Sequence, residues 1–543
     1  MNGALHAYGR EGIIHGLPMI PDHTASPDPA RRWRVPLALL AGVAAFCLVW
    51  LITAPPGPGL DPDSMSYVSA SESLVHHGAL RVPAFYDWAR PDSTEPLAHF
   101  PPGLPTALAI PRILGVSEPT AARVVEATAA LVTAATICLI VAGASGAAAG
   151  ALAVLIVFAT PAIVGTHLSI LSEPLFYALL ALTLAAMVWR PDHPLLAGIV
   201  AAAGSLVRYA GLSLVGAVVL WMFTRGGSAR DRLRRALVAA LPAIVAFGAW
   251  LVRTRRETGG GVRDVSVYGG FAATVHQGVD TMASWLAPAL ADGPLRTVVA
   301  LAVLAAFIAL AVAATRRLSH AGERHVSVTV SRRLLVATVM LAAVYVAVVV
   351  LSRLFADGAI PFDDRILSPV MLLLEIAAVV ALAAWWRAQR IGLRAVAASA
   401  LLLWWGASLA VSWSDARDAM TDGADYADTR WRSSPLVAWA RGDGAGCVIF
   451  TNHPTALYFQ AHRFSRGTPL DQPSDTLRAL TDTIAARGGA LVAFDEPDAE
   501  FAIPPDSVLR ALSLRPALRT TDGTVWLPDA RARCEAAPVA ARR

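Results

Sequence analysis

The chain has 543 residues, of which 55% are hydrophobic and only 16% charged, with a formal net charge of +5 and a mean hydropathy of +0.53. Soluble domains carry about 25% charged residues, so a water-soluble enzyme of this size is excluded; long polar tracts are absent, so a disordered scaffold is excluded too. All the positive charge is Arg, in short clusters between apolar runs, which argues against a nucleic-acid surface and leaves a polytopic membrane protein with one modest soluble domain.

In chain order, residues 1–34 form a polar cytoplasmic tail that ends in Arg31-Arg32-Trp33-Arg34. A hydrocarbon core about 30 Å thick needs about 20 apolar residues of helix. The run 35–54 meets this and is too long for a signal-peptide core, so it reads as a retained anchor. Further spans are expected near 120–142, 146–165, 174–189, 195–207, 210–224, 236–252, 296–315, 334–352, 366–386 and 395–412, eleven in all. Residues 195–224 divide at Arg208-Tyr209-Ala210-Gly211, because about 30 residues of continuous helix would be about 45 Å long.

With that division and a cytoplasmic N-terminus, the dense Arg clusters of 225–235, 316–333 and 387–394 all fall in cytoplasmic segments, as the positive-inside bias requires. Asp61, Asp63, Glu173, Asp363 and Asp364 then collect at the external ends of helices, together with Arg208, Arg255, Arg256 and Arg365. Acids at one interface fit an enzyme; the rival class, a transporter or lipid flippase with a sensor domain, would hold them at mid-membrane. Glu375 is the acid that reads as mid-span, a polar residue satisfied inside the bundle.

The external loop 55–119 separates the first two spans. Tyr67, Val68, Ser71, Leu74 and Val75 share one helical face, so a surface helix is predicted after Asp61, and a re-entrant or surface helix ends near Leu114. Beyond 412 the spans stop, and residues 413–543 are expected to form a small external α/β domain. Its strands are predicted at Cys447–Thr451, Ala490–Phe494 and Thr524–Leu527, and its helices near 455–461, 474–487 and 506–513. Cys47 and Cys138 lie within spans, whereas Cys447 and Cys534 bracket the external domain and are candidates for a disulfide.

Five short patterns carry a resemblance. Asp63-Ser64-x-x-Tyr67 is similar to the Asp-[acid or Ser]-x-x-Tyr signature of the GT-C superfamily of glycosyltransferases, whose multi-span members include protein O-mannosyltransferases and lipid A aminoarabinose transferases. Pro101-Pro102-Gly103-Leu104-Pro105 resembles the Pro-Pro-x-x motif that closes the same loop, and Leu171-Ser172-Glu173-Pro174-Leu175 resembles the acid-Pro-Leu motif of the second external loop. Arg208-Tyr209-Ala210-Gly211 and Asp364-Arg365-Ile366-Leu367-Ser368-Pro369 resemble two later patterns, so the likeness covers about residues 35–390. Phe100 stands where aminoarabinose transferases carry Lys, and that donor contact is not carried over.

The resemblance implies an all-α, GT-C-like polytopic domain that transfers a sugar, with inversion, from a polyprenyl-phosphate donor to a hydroxyl of a lipid, glycan or protein acceptor at the external face. Such a step needs a carboxylate to take the hydroxyl proton, the role expected of Asp63, with Glu173 orienting the acceptor or holding an ion. Cations must meet the departing phosphate; Arg365 leads, Arg208 follows, and Arg255 and Arg256 come third. Asp61, Tyr67, Tyr209 and Asp364 complete the expected substrate-binding set. No cofactor is required by the sequence, although Asp61, Asp63 and Glu173 could share a divalent metal.

Overall fold

The computed structural model describes residues 31–84, 93–260, 266–320, 326–468, 489–497, 499–503, 509 and 513–528. Helix α1 (Arg34–Ile52) is the first apolar run. The loop helix follows as α2 (Pro62–His77): Asp61 caps it by accepting from the Asp63 N–H at 3.0 Å, Pro62 opens it, and Gly78 in the left-handed region (φ 67°) closes it. The antiparallel pair β1 (Arg81–Pro83) and β2 (Thr94–Pro96) and the short helix α3 (Gly103–Ile113) complete this loop.

Apolar runs then form α4 (Glu118–Ser145), α5 (Ala147–Val157), α6 (Pro161–Leu168), α7 (Glu173–Trp189), α8 (Pro194–Val207) and α9 (Leu212–Phe223). After them come α10 (Ala229–Thr258), α11 (Phe271–Leu286), α12 (Pro294–His320), α13 (Val326–Phe355), α14 (Asp364–Trp386) and α15 (Ile391–Thr421). All eleven expected runs are helical. Among the described residues seven helices are long and apolar enough to cross a membrane, and α5 with α6, bent by 61° at a short break, makes an eighth. Helices α7, α8 and α9 fill the other three runs with 17, 14 and 12 residues; at about 1.5 Å per residue each falls short of a core about 30 Å thick. The chain is a multi-pass membrane protein.

Two boundaries differ from expectation. Ser228 and Asp231 form a reciprocal cap that starts α10 early, which puts Arg230, Arg232, Arg234 and Arg235 on its first turns rather than in a loop. Helix α15 runs on past 412 to Thr421, so the C-terminal domain begins after it. Small residues let the helices approach closely: a Cβ on Gly198 of α8 would lie 2.2 Å from the Ala239 carbonyl oxygen of α10. Glu375 accepts from the Thr160 hydroxyl at the α5–α6 break, a bundle contact of the kind expected.

Among the described residues the C-terminal domain carries three short helices, α16 (Thr429–Arg432), α17 (Pro435–Arg441) and α18 (Pro454–Ala461). Its strands are β3 (Val448–Thr451), β4 (Arg466–Gly467), β5 (Gly489–Phe494), β6 (Arg515–Thr520) and β7 (Gly523–Leu527), in the order β4-β3-β5-β7-β6. β3 is parallel to β4 and β5, and β7 is antiparallel to β5 and β6. Alternation along the strands sends Ile449, Val492 and Val525 into one apolar cluster, with Leu436 and Leu457, and Phe450, Leu491 and Trp526 into the other. The expected helix near 474–487, most of that near 506–513, and Cys534 lie outside the described residues. Cys447 is disulfide-bonded, while Cys47 and Cys138 are free thiols.

This domain is joined to the first loop by backbone as well as side chains. Leu60 bridges Asp425, and the Tyr426 N–H donates to the Leu60 carbonyl at 3.2 Å. The buried Arg466 donates to the Ala84 carbonyl at 2.5 Å, and the Thr455 hydroxyl lies 3.7 Å from the Met65 sulfur on α2.

Candidate active site

Four chain segments converge at one end of the bundle. Asp61 caps α2 and Asp63 lies in its first turn, where the helix dipole favours negative charge. The Ser64 hydroxyl donates to the Ile170 carbonyl at 2.9 Å, which ties that turn to the segment leading into Glu173, the first residue of α7. Arg208 leaves α8 with extended backbone (φ −142°, ψ 141°), and the chain then reverses at Gly211, where a Cβ would sit 2.2 Å from the Gly204 carbonyl oxygen. Arg365 follows the Asp363 cap of α14, whose carboxylate accepts from the Ile366 N–H at 2.9 Å.

Arg365 is the hub. Its Nε donates to Glu173 Oε1 at 2.6 Å, one terminal nitrogen donates to Asp63 Oδ2, and the other lies 3.5 Å from Asp61 Oδ1. Arg208 pairs with the same Glu173 oxygen and donates to the Ser172 hydroxyl at 3.0 Å. The Glu173 side chain is 0% exposed, whereas those of Asp61, Asp63 and Arg365 are 26%, 25% and 26% exposed. A carboxylate so buried requires paired cations, and here two guanidiniums share it. Asp61, Asp63 and Arg365 are the partly exposed side of the group.

Three carboxylates meet two guanidiniums, and Asp61 absorbs the imbalance. Burial pushes its carboxyl up to about 7, Arg365 opposes that rise, and the Asp63 charge adds to it. Burial and the Asp63 charge also push the Tyr67 phenol up, so it stays a donor. Its hydroxyl reaches Ser172 Oγ at 3.3 Å, and its ring packs against Phe100 with centroids 4.9 Å apart. An aromatic ring therefore covers Tyr67 at the position where the resemblance would have placed a cation.

The structure thus brings Asp61, Asp63, Tyr67, Glu173, Arg208 and Arg365 together, and four other candidates are not seen bonded to them. Tyr209 donates to the Ala98 carbonyl at 2.7 Å and accepts from the Trp250 indole at 3.2 Å, which braces the first loop. Asp364 accepts from the Trp285 indole at 2.6 Å on α11. Arg255 and Arg256 stand exposed at the end of α10. Arg365 lies among the three acids that could have shared a metal, and among the described residues no three His, Cys, Asp or Glu side chains are arranged to hold one.

Sequence reasoning missed the contribution of the C-terminal domain. Asp425 accepts from the Ser169 hydroxyl at 2.6 Å, and the Tyr426 hydroxyl meets His453 Nδ1 at 2.7 Å. Glu500 accepts from the Thr455 N–H at 3.1 Å and hydroxyl at 2.8 Å; burial pushes it up to about 7, and Asp63 is among the charges that raise it. No spacing links these residues to the first loop. The one available signal was that Asp425-Tyr426 follows directly on the last apolar helix.

The chain matches no family model and no curated protein sequence. Among solved structures it is similar to ArnT from Cupriavidus metallidurans bound to undecaprenyl phosphate, at 13% identity and a TM-score of 0.54, over 91% of this chain and 98% of that one. It is also similar to the mycobacterial arabinofuranosyltransferase AftD, at 16% identity and a TM-score of 0.49, over 86% of this chain and 37% of that one. The Archaeoglobus fulgidus oligosaccharyltransferase matches over 85% of this chain and 68% of its own, at 14% identity and a TM-score of 0.45. Superposed on ArnT over nearly the whole of both chains, this protein has the fold of the GT-C glycosyltransferases.

Proposed function

We propose that the protein is a membrane glycosyltransferase that moves a sugar from a polyprenyl-phosphate carrier to an acceptor hydroxyl, with inversion, at the external face of the membrane. The observation that carries this reading is the carboxylate–guanidinium ring around Arg365, set at helix ends in the fold of a protein solved with undecaprenyl phosphate.

In this reading Asp63 is the general base. One of its oxygens is held by Arg365, which aims the other at an acceptor. The acceptor oxygen bonds to the anomeric carbon as its proton passes to Asp63, and the bond from that carbon to the phosphate oxygen breaks with its electron pair on the phosphate. Arg365 meets the charge so formed, taking the phosphate in place of the weaker Asp61 contact. Buried Glu173 fixes the planes of both guanidiniums, and Arg208 supports it from behind. The two Arg residues supply the positive charge that the step needs, so no cofactor is part of the reading. A chelator is expected to leave turnover unchanged.

The first experiment is mass spectrometry of envelope lipids, glycans and glycoproteins with and without the protein, which identifies sugar and acceptor. Purified Asp63→Asn is then expected to lose about 10²–10⁴-fold in turnover with a polyprenyl-phosphate sugar while it folds and elutes normally, because an amide cannot accept the proton. Near-normal turnover of that variant overturns the assignment.

A further inference from the structure

A cavity lies between the first loop, the start of α4 and the C-terminal domain. Its volume is about 440 Å³, within the range of about 300–1,000 Å³ usual for small-ligand sites. Leu60 and Ile170 are part of its lining; Asp61 is the next residue after one, and Ser172-Glu173 follow closely on the other.

Three kinds of group line this cavity. Glu72 of α2 and Glu118 of α4 supply carboxylate acceptors, and Glu118 feels the opposing charges of Arg112 and Glu72. The Glu72 contact is a long one from the Tyr458 hydroxyl at 3.4 Å, and no hydrogen-bond donor meets Glu118 among the described residues. Opposite them stand the exposed His462 ring and Arg432, whose Nε and one terminal nitrogen already donate to the Ala427 carbonyl and whose other terminal nitrogen has no partner among the described residues. Between the two lies an aromatic corner: the rings of Tyr458 and Phe459 meet edge to face at 4.9 Å, and Tyr458 is stacked on Phe464 at 5.9 Å.

Each group constrains the ligand. The carboxylates accept, the remaining Arg432 nitrogen and the His462 ring can donate, and the aromatic corner offers an apolar face. A cation alone would satisfy the acids and be repelled by the Arg, and a phosphate would do the reverse. A pyranose or furanose ring answers all three, since each hydroxyl both donates and accepts while the ring C–H groups pack on aromatic faces. We propose that this cavity is a saccharide-binding site that holds the sugar of a glycan acceptor next to Asp63, an inference that rests on the glycosyltransferase reading above for its role and not for its ligand.

The test is saturation-transfer-difference NMR of the full chain in nanodiscs with the methyl glycosides of glucose, mannose, galactose and arabinose, and with ethanolamine as a cationic control. At least one glycoside is expected to saturate with a Kd in the millimolar range. Phe459→Leu, which keeps apolar volume but removes the ring, and the double variant Glu72→Gln/Glu118→Gln are each expected to weaken it by about tenfold. Turnover of Asp63→Asn tests the catalytic reading, whereas glycoside binding by the wild-type, Phe459→Leu and Glu72→Gln/Glu118→Gln chains tests this site, so loss of the catalytic reading and loss of the saccharide site are separate outcomes. Absence of saturable glycoside binding, binding untouched by either variant, or binding of ethanolamine without any glycoside would each overturn the proposal.

Discussion

Arg365 spends its three guanidinium nitrogens on three different carboxylates, a geometry that a point charge cannot copy. Arg365→Lys keeps the charge but can face at most part of that set, so turnover is expected to fall about 10²-fold or more while the thermal midpoint moves little. Wild-type turnover in the Lys variant would show that only charge is needed. Asp61 has the opposite character, because its state changes near neutrality. Its folded value of about 7 lies above the ordinary 3.8, so it is neutral below about 7 and charged above. Below that pH the two remaining carboxylates balance Arg365 and Arg208; above it an extra negative charge opposes an incoming phosphate. The KM for the donor is therefore expected to rise on the order of tenfold between about pH 6 and pH 8, and Asp61→Asn is expected to abolish that rise while retaining turnover. A rise that persists in Asp61→Asn would assign the titration to another group. The sign also holds for stability: a carboxyl with a raised folded value contributes most at low pH, and its contribution is lost as pH climbs from about 4 to about 7.

At the level of elements, the turn between α8 and α9 sets the position of Arg208. Gly211 lies against the Gly204 carbonyl, with room for a hydrogen but not for a Cβ. Gly211→Ala must push the two helices apart, at a cost of about 1–3 kcal/mol, and it moves Arg208 away from Glu173. A lower thermal midpoint together with reduced turnover is the expected result, read by scanning fluorimetry and single-turnover assays; an unchanged midpoint would mean that the turn absorbs the methyl group. This turn was legible in the sequence because two physical limits met there, a bilayer too thin for the run 195–224 and a charge in its middle. Asp61, Asp63, Glu173 and Arg365 were legible for a related reason, since each sits where an apolar helix begins and local chemistry marks such ends. Tyr209 and Asp364 sit in equally suggestive places, but sequence proximity does not say which way a side chain turns, and Ala98 and Trp285 claimed theirs. Asp425, His453 and Glu500 were invisible because their link to the first loop is tertiary, through the Leu60–Asp425 bridge and the Thr455 contacts. The early start of α10 was missed because its Arg-rich turns are held by a cap rather than by apolar periodicity.

Across the whole molecule charge is separated along the bundle. Helix α10 opens with Arg230, Arg232, Arg234 and Arg235 and towards its other end carries Arg253, which donates to the Leu97 and Leu80 carbonyls of the first loop at 2.6 and 3.0 Å. Helix α14 runs the other way: it opens at Arg365 in the site and closes at Trp386, where Arg387 donates to the Ser145 carbonyl at the end of α4 and Arg317 to the Trp385 carbonyl. The Arg clusters at the start of α10, the end of α12 and the end of α14 therefore share the end of the bundle remote from the carboxylates, while Arg255 and Arg256 end α10 on the other side. A bilayer with anionic lipid on its cytoplasmic face retains Arg-rich segments on that side, so the cluster end is expected to be cytoplasmic and the ring, with the C-terminal domain, external. The check is thiol labelling of intact cells with a membrane-impermeant maleimide, in a background with Cys47→Ala and Cys138→Ala. Arg234→Cys is expected to stay unlabelled until the membrane is permeabilised, whereas Arg430→Cys, on the exposed start of the C-terminal domain, is expected to label at once. Immediate labelling at 234 with protection at 430 would invert the molecule and place the proposed transfer, with its lipid-linked donor, on the cytoplasmic face.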